Sequence, residues 1–190
     1  MTAEPIEKRP TRRRFTVDEY YRLAETGILT SEDRVELLDG EIIEMVPIGS
    51  QHAAHVKRLN SLISRALGDA VIVAVQDPIR LDRFSEPEPD IAVLHPRDDF
   101  YASAHPGPDD VFLVIEVADS SFEFDRTRKI PLYAEHGVPC VWLLNLQDDT
   151  IETFEQPESG EYQRVRTLSG DDEVGLESVE LAFAASELFV

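Results

Sequence analysis

The sequence predicts an α/β fold, and three observations support this prediction. Residues 111–117 and 140–146 are apolar runs with the length and β-branched content of buried strands. The segment between them has helical spacing and stops at a glycine, so the three pieces predict a strand–helix–strand unit. Apolar residues also recur at helical spacing over residues 50–67. An Asp39-Gly40 pair between two apolar-rich runs predicts a β-hairpin nearer the N-terminus.

The length and composition suit one domain. With 190 residues and 42% hydrophobic content, residues 15–190 can bury a sizeable core. Residues 1–14 form a basic arm, which we expect to be flexible and solvated; the alternative is an arm that seeks phosphate. No run approaches the roughly 20 apolar residues that span a bilayer, and the N-terminus lacks the apolar segment of a secretory signal. Cys140 is the only cysteine, so we expect a core thiol and a cytoplasmic location.

The net charge of −20 restricts the ways in which the protein could bind nucleic acid. Loose, charge-driven binding is disfavoured because the phosphates would be repelled. Acids are concentrated after Gln147, where Arg164 and Arg166 are the only bases. We expect that part of the chain to present a solvated acidic face.

Two elements are predicted before the long helix. Residues 16–25 predict a short helix in which Thr16 is the N-cap and Glu19 lies at the capping-box position. The hairpin covers residues 34–46. Because side chains alternate along a strand, Glu36 shares a face with an apolar neighbour, which is unusual for an acid that faces only solvent.

The helix over residues 50–67 ends at Gly68 and carries His52 and His55 in its first turns. A histidine pair with this spacing could ligate a metal. The interpretation favoured by the sequence is that one histidine packs in the interior and the other is solvated.

The middle of the chain alternates between strand and loop. Residues 71–76 and 79–81 predict a strand that is broken by an Asp-Pro pair. Residues 91–94 predict another strand, and residues 96–108 are predicted to be mostly loop because they contain several prolines and a glycine.

The C-terminal part is predicted to form a hairpin and a helix. Residues 150–155 and 161–166 have the pattern of two antiparallel strands, with a turn at residues 157–160. Residues 181–189 predict a short closing helix.

Two acids at strands are the first candidates for chemistry. Asp90 opens one predicted strand, and Glu116 lies inside another. A carboxylate in a buried strand costs several kcal/mol unless it is paired, protonated or bound to a metal. If the two strands are adjacent, the carboxylates meet, and their repulsion is relieved by a hard divalent cation such as Mg²⁺.

Lys129 is the candidate cation of the protein itself. Ser120 or Ser121 could cap the helix that follows Glu116, and the helix would then carry Lys129 on one face together with Tyr133. A proline at position 131 requires that the helix begins late, near residues 127–128, or that it bends. The alternative is that Lys129 is a surface lysine and Asp90 an ordinary turn acid, and spacing alone does not reject it.

Several motifs in this order resemble the Uma2-type putative endonuclease family, a branch of the PD-(D/E)XK nuclease-like superfamily. The resemblance covers about residues 15–155. The matching pieces are VELLDGEI, the histidine at position 52, PEPDIAVL, LVIEVADSS, DRTRKIPLYAEHGVP and VWLLN. It implies a restriction-endonuclease-like PD-(D/E)XK core, in which a central mixed sheet has flanking helices and an N-terminal β-hairpin.

The resemblance also implies roles for individual residues. Asp90 and Glu116 would be metal ligands for Mg²⁺ or Mn²⁺, and the main-chain carbonyl of Val117 would be a further ligand. Superfamily members usually have a lysine at the position of Ala118, and here Lys129 would replace it. Glu36 would be an additional acid near the metal. Asp125 would keep the site in shape without contacting the metal itself.

Three functions follow as hypotheses. The first is a metal-dependent endonuclease that cleaves DNA, with catalytic residues Asp90, Glu116, Lys129 and Glu36. The second is a catalytically silent binding or assembly module that keeps the nuclease fold. The third is a hydrolase of another phosphate ester. The resemblance suggests a homodimer under any of them.

Overall fold

The computed structural model describes residues 12–190. The predicted basic arm therefore lies mostly outside the described residues, and only its last three arginines are described. They form ion pairs with acids of the first helix and of the hairpin: Arg12 with Glu41, Arg13 with Glu19 and Arg14 with Asp39.

Residues 12–190 form ten strands and four α-helical segments. The strands are β1 (Val35–Leu38), β2 (Glu41–Glu44), β3 (Ile72–Val75), β4 (Ile91–Leu94), β5 (Val111–Ala118), β6 (Cys140–Asn145), β7 (Thr150–Glu158), β8 (Glu161–Ser169), β9 (Glu173–Leu176) and β10 (Leu181–Ala184). The helices are α1 (Val17–Glu25), α2 (Ser50–Leu67), α3 (Phe122–Phe124) and α4 (Ile130–Glu135), with a π-helical turn (Asp125–Lys129) between α3 and α4.

A six-stranded sheet in the order β3-β4-β5-β6-β7-β8 forms the centre of the molecule. Strands β5 and β6 are parallel, and the other neighbours are antiparallel. A parallel pair needs a long crossover, and α3, the π-helical turn and α4 supply it. The predicted strand–helix–strand unit and the mixed sheet with flanking helices are thus confirmed.

Apolar side chains cover both faces of this sheet. On one face, Leu59 and Ile63 of α2 belong to the same buried cluster as Trp142 of β6. On the other face, Tyr133 of α4 packs with Leu143 of β6. Because both faces are buried, the central strands are apolar without alternation, as the sequence of β5 shows. Within residues 12–190, no helix is both long and apolar enough to cross a membrane.

The helical crossover does not begin late, because it starts at Phe122 and passes through a π-helical turn before the proline. The N–H of Ile130 donates to the carbonyl of Asp125, five residues earlier, which is the hydrogen bond of a π-helix. Pro131 follows at once, at the start of α4, where its missing N–H is tolerated. Ser121 is the N-cap residue of α3, but its hydroxyl donates to Asp125 and does not cap the helix.

The N-terminal elements follow the prediction closely. Thr16 and Glu19 form both hydrogen bonds of the capping box of α1. The hairpin of β1 and β2 turns at Asp39 and Gly40, whose φ angles of 57° and 77° are those of a type I′ turn. A Cβ at position 40 would lie 2.5 Å from Arg14 Cβ, so the turn also needs glycine for space.

Some of the boundaries differ from the prediction. Residues 79–81 are not a strand, because the N–H groups of Ile79 and Leu81 donate to the carbonyls of Pro87 and Ser85 in a local loop. The turn predicted at residues 157–160 contains only Ser159 and Gly160. Strand β7 continues through Pro157 because β6 pairs with β7 only as far as Glu155 and needs no N–H beyond it.

The predicted closing helix at residues 181–189 is largely wrong. Residues 181–184 form strand β10, which pairs with β9, a strand that the sequence does not predict. Only a 3₁₀ turn (Ala185–Leu188) follows β10. Pairing with β9 satisfies the backbone of these four residues, so tertiary context overrides the helical propensity of the alanines.

Candidate active site

The candidate site is a cavity of about 350 Å³ where the N-terminal hairpin, the start of α2 and the C-terminal end of β5 meet. A larger groove of about 1140 Å³ lies at the opposite end of the central strands, near the first residues of β5 and β6. None of the candidate residues from the sequence lines that groove. All of them line the smaller cavity: Glu36, Asp90, Glu116, Val117 and Lys129.

The fold brings Asp90 and Glu116 side by side. Strands β4 and β5 are antiparallel with Ile91 opposite Ile115, so one residue further along the ladder Asp90 comes beside Glu116. Both carboxylates are buried. The N–H of Val117 donates to Asp90 Oδ2 at 2.9 Å, which ties the two strands together at this point.

Lys129 reaches the same point from the π-helical turn. Its Nζ lies 3.1 Å from Glu36 Oε2 and 3.3 Å from Glu116 Oε1. With 5% of its surface exposed, Lys129 is not a surface lysine. Ala118 has no charged side chain, so the ammonium group beside Glu116 comes from Lys129 on the π-helical turn.

Further hydrogen bonds hold the carboxylates in place. The Tyr133 hydroxyl donates to Glu116 Oε1 at 2.7 Å, and both side chains are buried. The backbone N–H of Glu88 donates to Glu36 Oε2 at 3.1 Å. Asp125 is buried and accepts a hydrogen bond from Ser121 Oγ at 2.7 Å.

The cavity concentrates negative charge away from water. Burial raises the pKa of Glu116 to about 8, although Lys129 opposes this shift. Burial disfavours the ammonium form of Lys129, but Glu116 and the acids around it outweigh burial and raise the lysine pKa above its ordinary value. The buried carboxylates thus outnumber the buried cations, and such an arrangement favours an additional cation.

His52 has a direct contact that sequence reasoning missed. Its Nε2 lies 2.9 Å from Asp90 Oδ2, and this contact raises the pKa of His52 although burial acts in the opposite direction. Its buried Nδ1 has no hydrogen-bond partner within residues 12–190. His55 is buried, and Val190 N–H donates to its Nε2 at 3.1 Å. The expectation that one of the two histidines is solvated is therefore wrong.

Two other residues at the cavity had no clear signal in the sequence. The side-chain amide of Gln76 donates to Asp90 Oδ1 at 3.2 Å. Gln76 follows β3 with a φ of 56°, and this left-handed conformation turns the chain at the Asp77-Pro78 pair. Arg34 lines the cavity mouth just before β1. Contacts of this kind depend on how the hairpin and the sheet edge pack, which no local pattern encodes.

The carboxylate and carbonyl oxygens here are suitable ligands for a hard divalent cation. Glu116 Oε1 is occupied by Lys129 and Tyr133, but Oε2 receives no hydrogen bond from any residue of the described range. In residues 12–190, no group of three or more His, Cys, Asp or Glu side chains is arranged as a metal site. Mg²⁺ commonly takes only one or two carboxylates and completes its shell with water, so Asp90 and Glu116 meet its needs.

Comparisons with known proteins agree with this architecture. A family model named Uma2 and described as a putative restriction endonuclease matches residues 17–186. The chain is similar to the crystal structure of a putative nuclease belonging to DUF820 from Anabaena variabilis, with a TM-score of 0.72 and 20% identity over 92% of this chain and 97% of that one. No curated protein matches the chain. The structural likeness confirms the restriction-endonuclease-like fold that the sequence predicts.

Proposed function

The chain belongs to the Uma2 family of putative restriction endonucleases, and from this premise we propose that it is a metal-dependent endonuclease that hydrolyses DNA phosphodiester bonds. One observation carries the proposal. Two buried carboxylates on neighbouring strands, Asp90 and Glu116, share one cavity with the buried ammonium of Lys129. Acids that hold a cation and a lysine that faces the same space can supply the chemistry of phosphodiester hydrolysis.

The chain supplies ligands and a positive charge for this reaction. Asp90, Glu116 and the main-chain carbonyl of Val117 would hold Mg²⁺ or Mn²⁺. When bound, such an ion polarises a phosphoryl oxygen and lowers the pKa of water. Lys129 places its ammonium beside Glu116, where it can stabilise charge that develops on the phosphate.

Other residues would position these groups. Glu36 accepts from the Lys129 ammonium and keeps it aimed at Glu116. Tyr133 fixes the orientation of the Glu116 carboxylate, and His52 and Gln76 do the same for Asp90. The carboxylates therefore need little rearrangement to bind a cation.

Cleavage assays test the proposed activity. With Mg²⁺ or Mn²⁺, the purified protein should cut plasmid, linear or single-stranded DNA, and Asp90→Asn should lower the rate at least 100-fold because a ligand is lost. Asp69→Asn is the matched control, since Asp69 is exposed at the end of α2. Absence of cleavage on all three substrates, or equal rates for wild type and Asp90→Asn, contradicts the proposal.

One observation favours a second candidate, a catalytically silent binding or assembly module. Lys129 already pairs with both Glu36 and Glu116, so each of these two acids has a cationic partner within the protein. In such a module the acids serve only the fold. It would bind no Mn²⁺ through Glu116 and would cleave no nucleic acid.

We also propose a homodimer, with residues 15–190 of each chain acting as one domain. The family resemblance suggests dimers, and a dimer presents two active sites to one nucleic acid. Light scattering should then give a mass in solution twice that of one chain, and a monomeric mass at all accessible concentrations contradicts the dimer.

A further inference from the structure

Exposed apolar side chains surround the mouth of the candidate active site. Val46, Ile48 and Phe124 are 59%, 40% and 36% exposed, and all three line the cavity together with Pro47. These four residues are called the apolar rim below. Exposed apolar groups gathered at the mouth of a cavity are characteristic of a binding surface.

The apolar rim comes from two segments that also position the candidate catalytic groups. Val46, Pro47 and Ile48 connect β2 to α2, the helix that carries His52. Phe124 ends α3 and is followed by the π-helical turn that carries Lys129. A ligand that touches the rim therefore lies next to Asp90 and Glu116.

The charges at the cavity decide which nucleic acid suits it. Seven acids of the described residues line it, namely Glu36, Glu44, Glu88, Asp90, Glu116, Asp119 and Asp125, and the only permanent bases among these lining residues are Arg34 and Lys129. This lining repels the phosphates of any nucleic acid, and a duplex presents two phosphate backbones while it hides the faces of its bases, so contacts with bases do not offset the repulsion. Unpaired bases expose flat faces that stack on apolar and aromatic side chains, at about 1–3 kcal/mol per base.

We propose that the apolar rim binds unpaired nucleobases, so that the substrate is single-stranded or locally unpaired nucleic acid. The proposal rests on the proposed nuclease function and adds the substrate class. Phe124 stacks on a base, and Ile48 and Val46 pack against the same or the next one. Arg34 is exposed, forms no ion pair within the described part of the chain, and contacts a neighbouring phosphate.

Fluorescence anisotropy with three labelled 12-nucleotide probes tests the rim, with Ca²⁺ in place of Mg²⁺. The probes are a single strand, the matching duplex and an abasic strand that keeps the phosphates but lacks bases. The single strand should bind at least ten times more tightly than either of the others. Its affinity should fall only weakly as salt rises, because stacking and not phosphate contact provides most of it.

Substitutions in the rim should weaken binding of the single strand specifically. Phe124→Ala and Ile48→Ala should each lower its affinity at least fivefold, and Phe124→Trp, which keeps an aromatic face, should restore it. Phe100→Ala is the matched control, because Phe100 is 75% exposed and does not line the cavity. Thermal unfolding of each variant shows whether it is folded, and only folded variants are compared.

Several results would overturn the proposal. They are equal or tighter binding of the duplex, equal binding of the abasic strand, no binding of any probe, or unchanged binding by Phe124→Ala. Light scattering adds another such result: if the wild type is a dimer that Phe124→Ala and Ile48→Ala convert to monomers, the apolar rim is a contact between two copies of the chain.

The two proposals can fail separately. If the single strand binds as expected but no nucleic acid is cleaved, the proposed nuclease function is contradicted and the proposed base-binding role of the apolar rim is supported. If duplex and single strand are cleaved at equal rates and the rim variants cleave as the wild type does, the base-binding role of the apolar rim is contradicted and the nuclease function is supported.

Discussion

The Asp90 carboxylate has three hydrogen-bond partners, and they come from three parts of the chain. His52 lies on α2, Gln76 follows β3, and the N–H of Val117 belongs to β5. The sequence places each acid at a predicted strand, so the two meet if those strands are adjacent, and the family resemblance implies that they share a site. The sequence does not predict His52 or Gln76 as partners, because their positions depend on how α2 and the edge strand pack on the sheet.

Lys129 offers a direct test of the buried charge cluster. Lys129→Met leaves Glu36 and Glu116 buried without their cation, and loss of one partner of a buried ion pair costs about 3–5 kcal/mol. We expect this loss in the free energy of unfolding near pH 8, measured by urea denaturation. Lys57→Met is the control, since Lys57 is exposed on α2 and the same substitution there should change stability little.

The loss should depend on pH in a defined direction. Burial raises the pKa of Glu116, so between the unfolded value near 4.3 and the folded value the folded protein binds more protons than the unfolded one. Stability therefore falls as pH rises through this window, and removal of Lys129, which opposes the rise in the Glu116 pKa, extends the fall to higher pH. The difference in stability between wild type and Lys129→Met should be smallest near pH 5 and should increase toward and above pH 8. A pH-independent difference contradicts this account of the cluster.

At the scale of elements, the crossover between β5 and β6 decides where the lysine lies. The proline at position 131 predicts either a late start or a bend, and the sequence leaves both open. The π-helical turn resolves the choice, because an inserted residue lets the hydrogen-bond ladder pass into α4 at the proline. The same turn places Asp125 and Lys129 at the cavity.

Strands β9 and β10 are the clearest failure of prediction from sequence. Their sequences, EVGL and LAFA, contain few β-branched residues, and no turn pair such as Asp-Gly separates them, so no local pattern marks them as strands. Their pairing depends on a close approach: a Cβ at Gly175 would lie 2.6 Å from the carbonyl oxygen of Leu181. This glycine is needed for space, since its φ is not in the left-handed region.

Gly175→Ala tests this pairing. The added methyl group must displace the backbone of β10, so we expect a loss of about 1–3 kcal/mol in the free energy of unfolding. Gly107→Ala is the control, because a Cβ there meets its nearest atoms at 3.8 Å. Equal unfolding free energies for the two variants would show that β9 and β10 do not approach as described.

For the whole molecule, the sequence predicts which residues form the core better than it predicts the order of the strands in the sheet. The parallel pair β5–β6 follows from the length of the helical crossover between two apolar strands. The other neighbouring strands of the sheet are antiparallel, and an antiparallel strand can add to either edge of a sheet, so local sequence does not fix its position. The order therefore comes from packing, and family resemblance supplied the expectation of a mixed sheet.

Cys140 reports on the integrity of the packed sheet as a whole. It is buried at the start of β6, and burial raises the pKa of its thiol to about 12. The native protein should therefore react very slowly with a disulfide reagent at pH 8, while the protein unfolded in urea should react at the rate of a free thiol. The reaction is followed by absorbance. Rapid reaction without denaturant would mean that Cys140 is not buried in the native protein as described.

Calorimetric titration with Mn²⁺ tests the metal site on which the proposed function depends. We expect one Mn²⁺ site per chain in the wild type, with an affinity that is unchanged in Asp69→Asn and weakened at least tenfold in Asp90→Asn and in Glu116→Gln. No binding to the folded wild type, or equal binding by all four proteins, would contradict the proposed metal site.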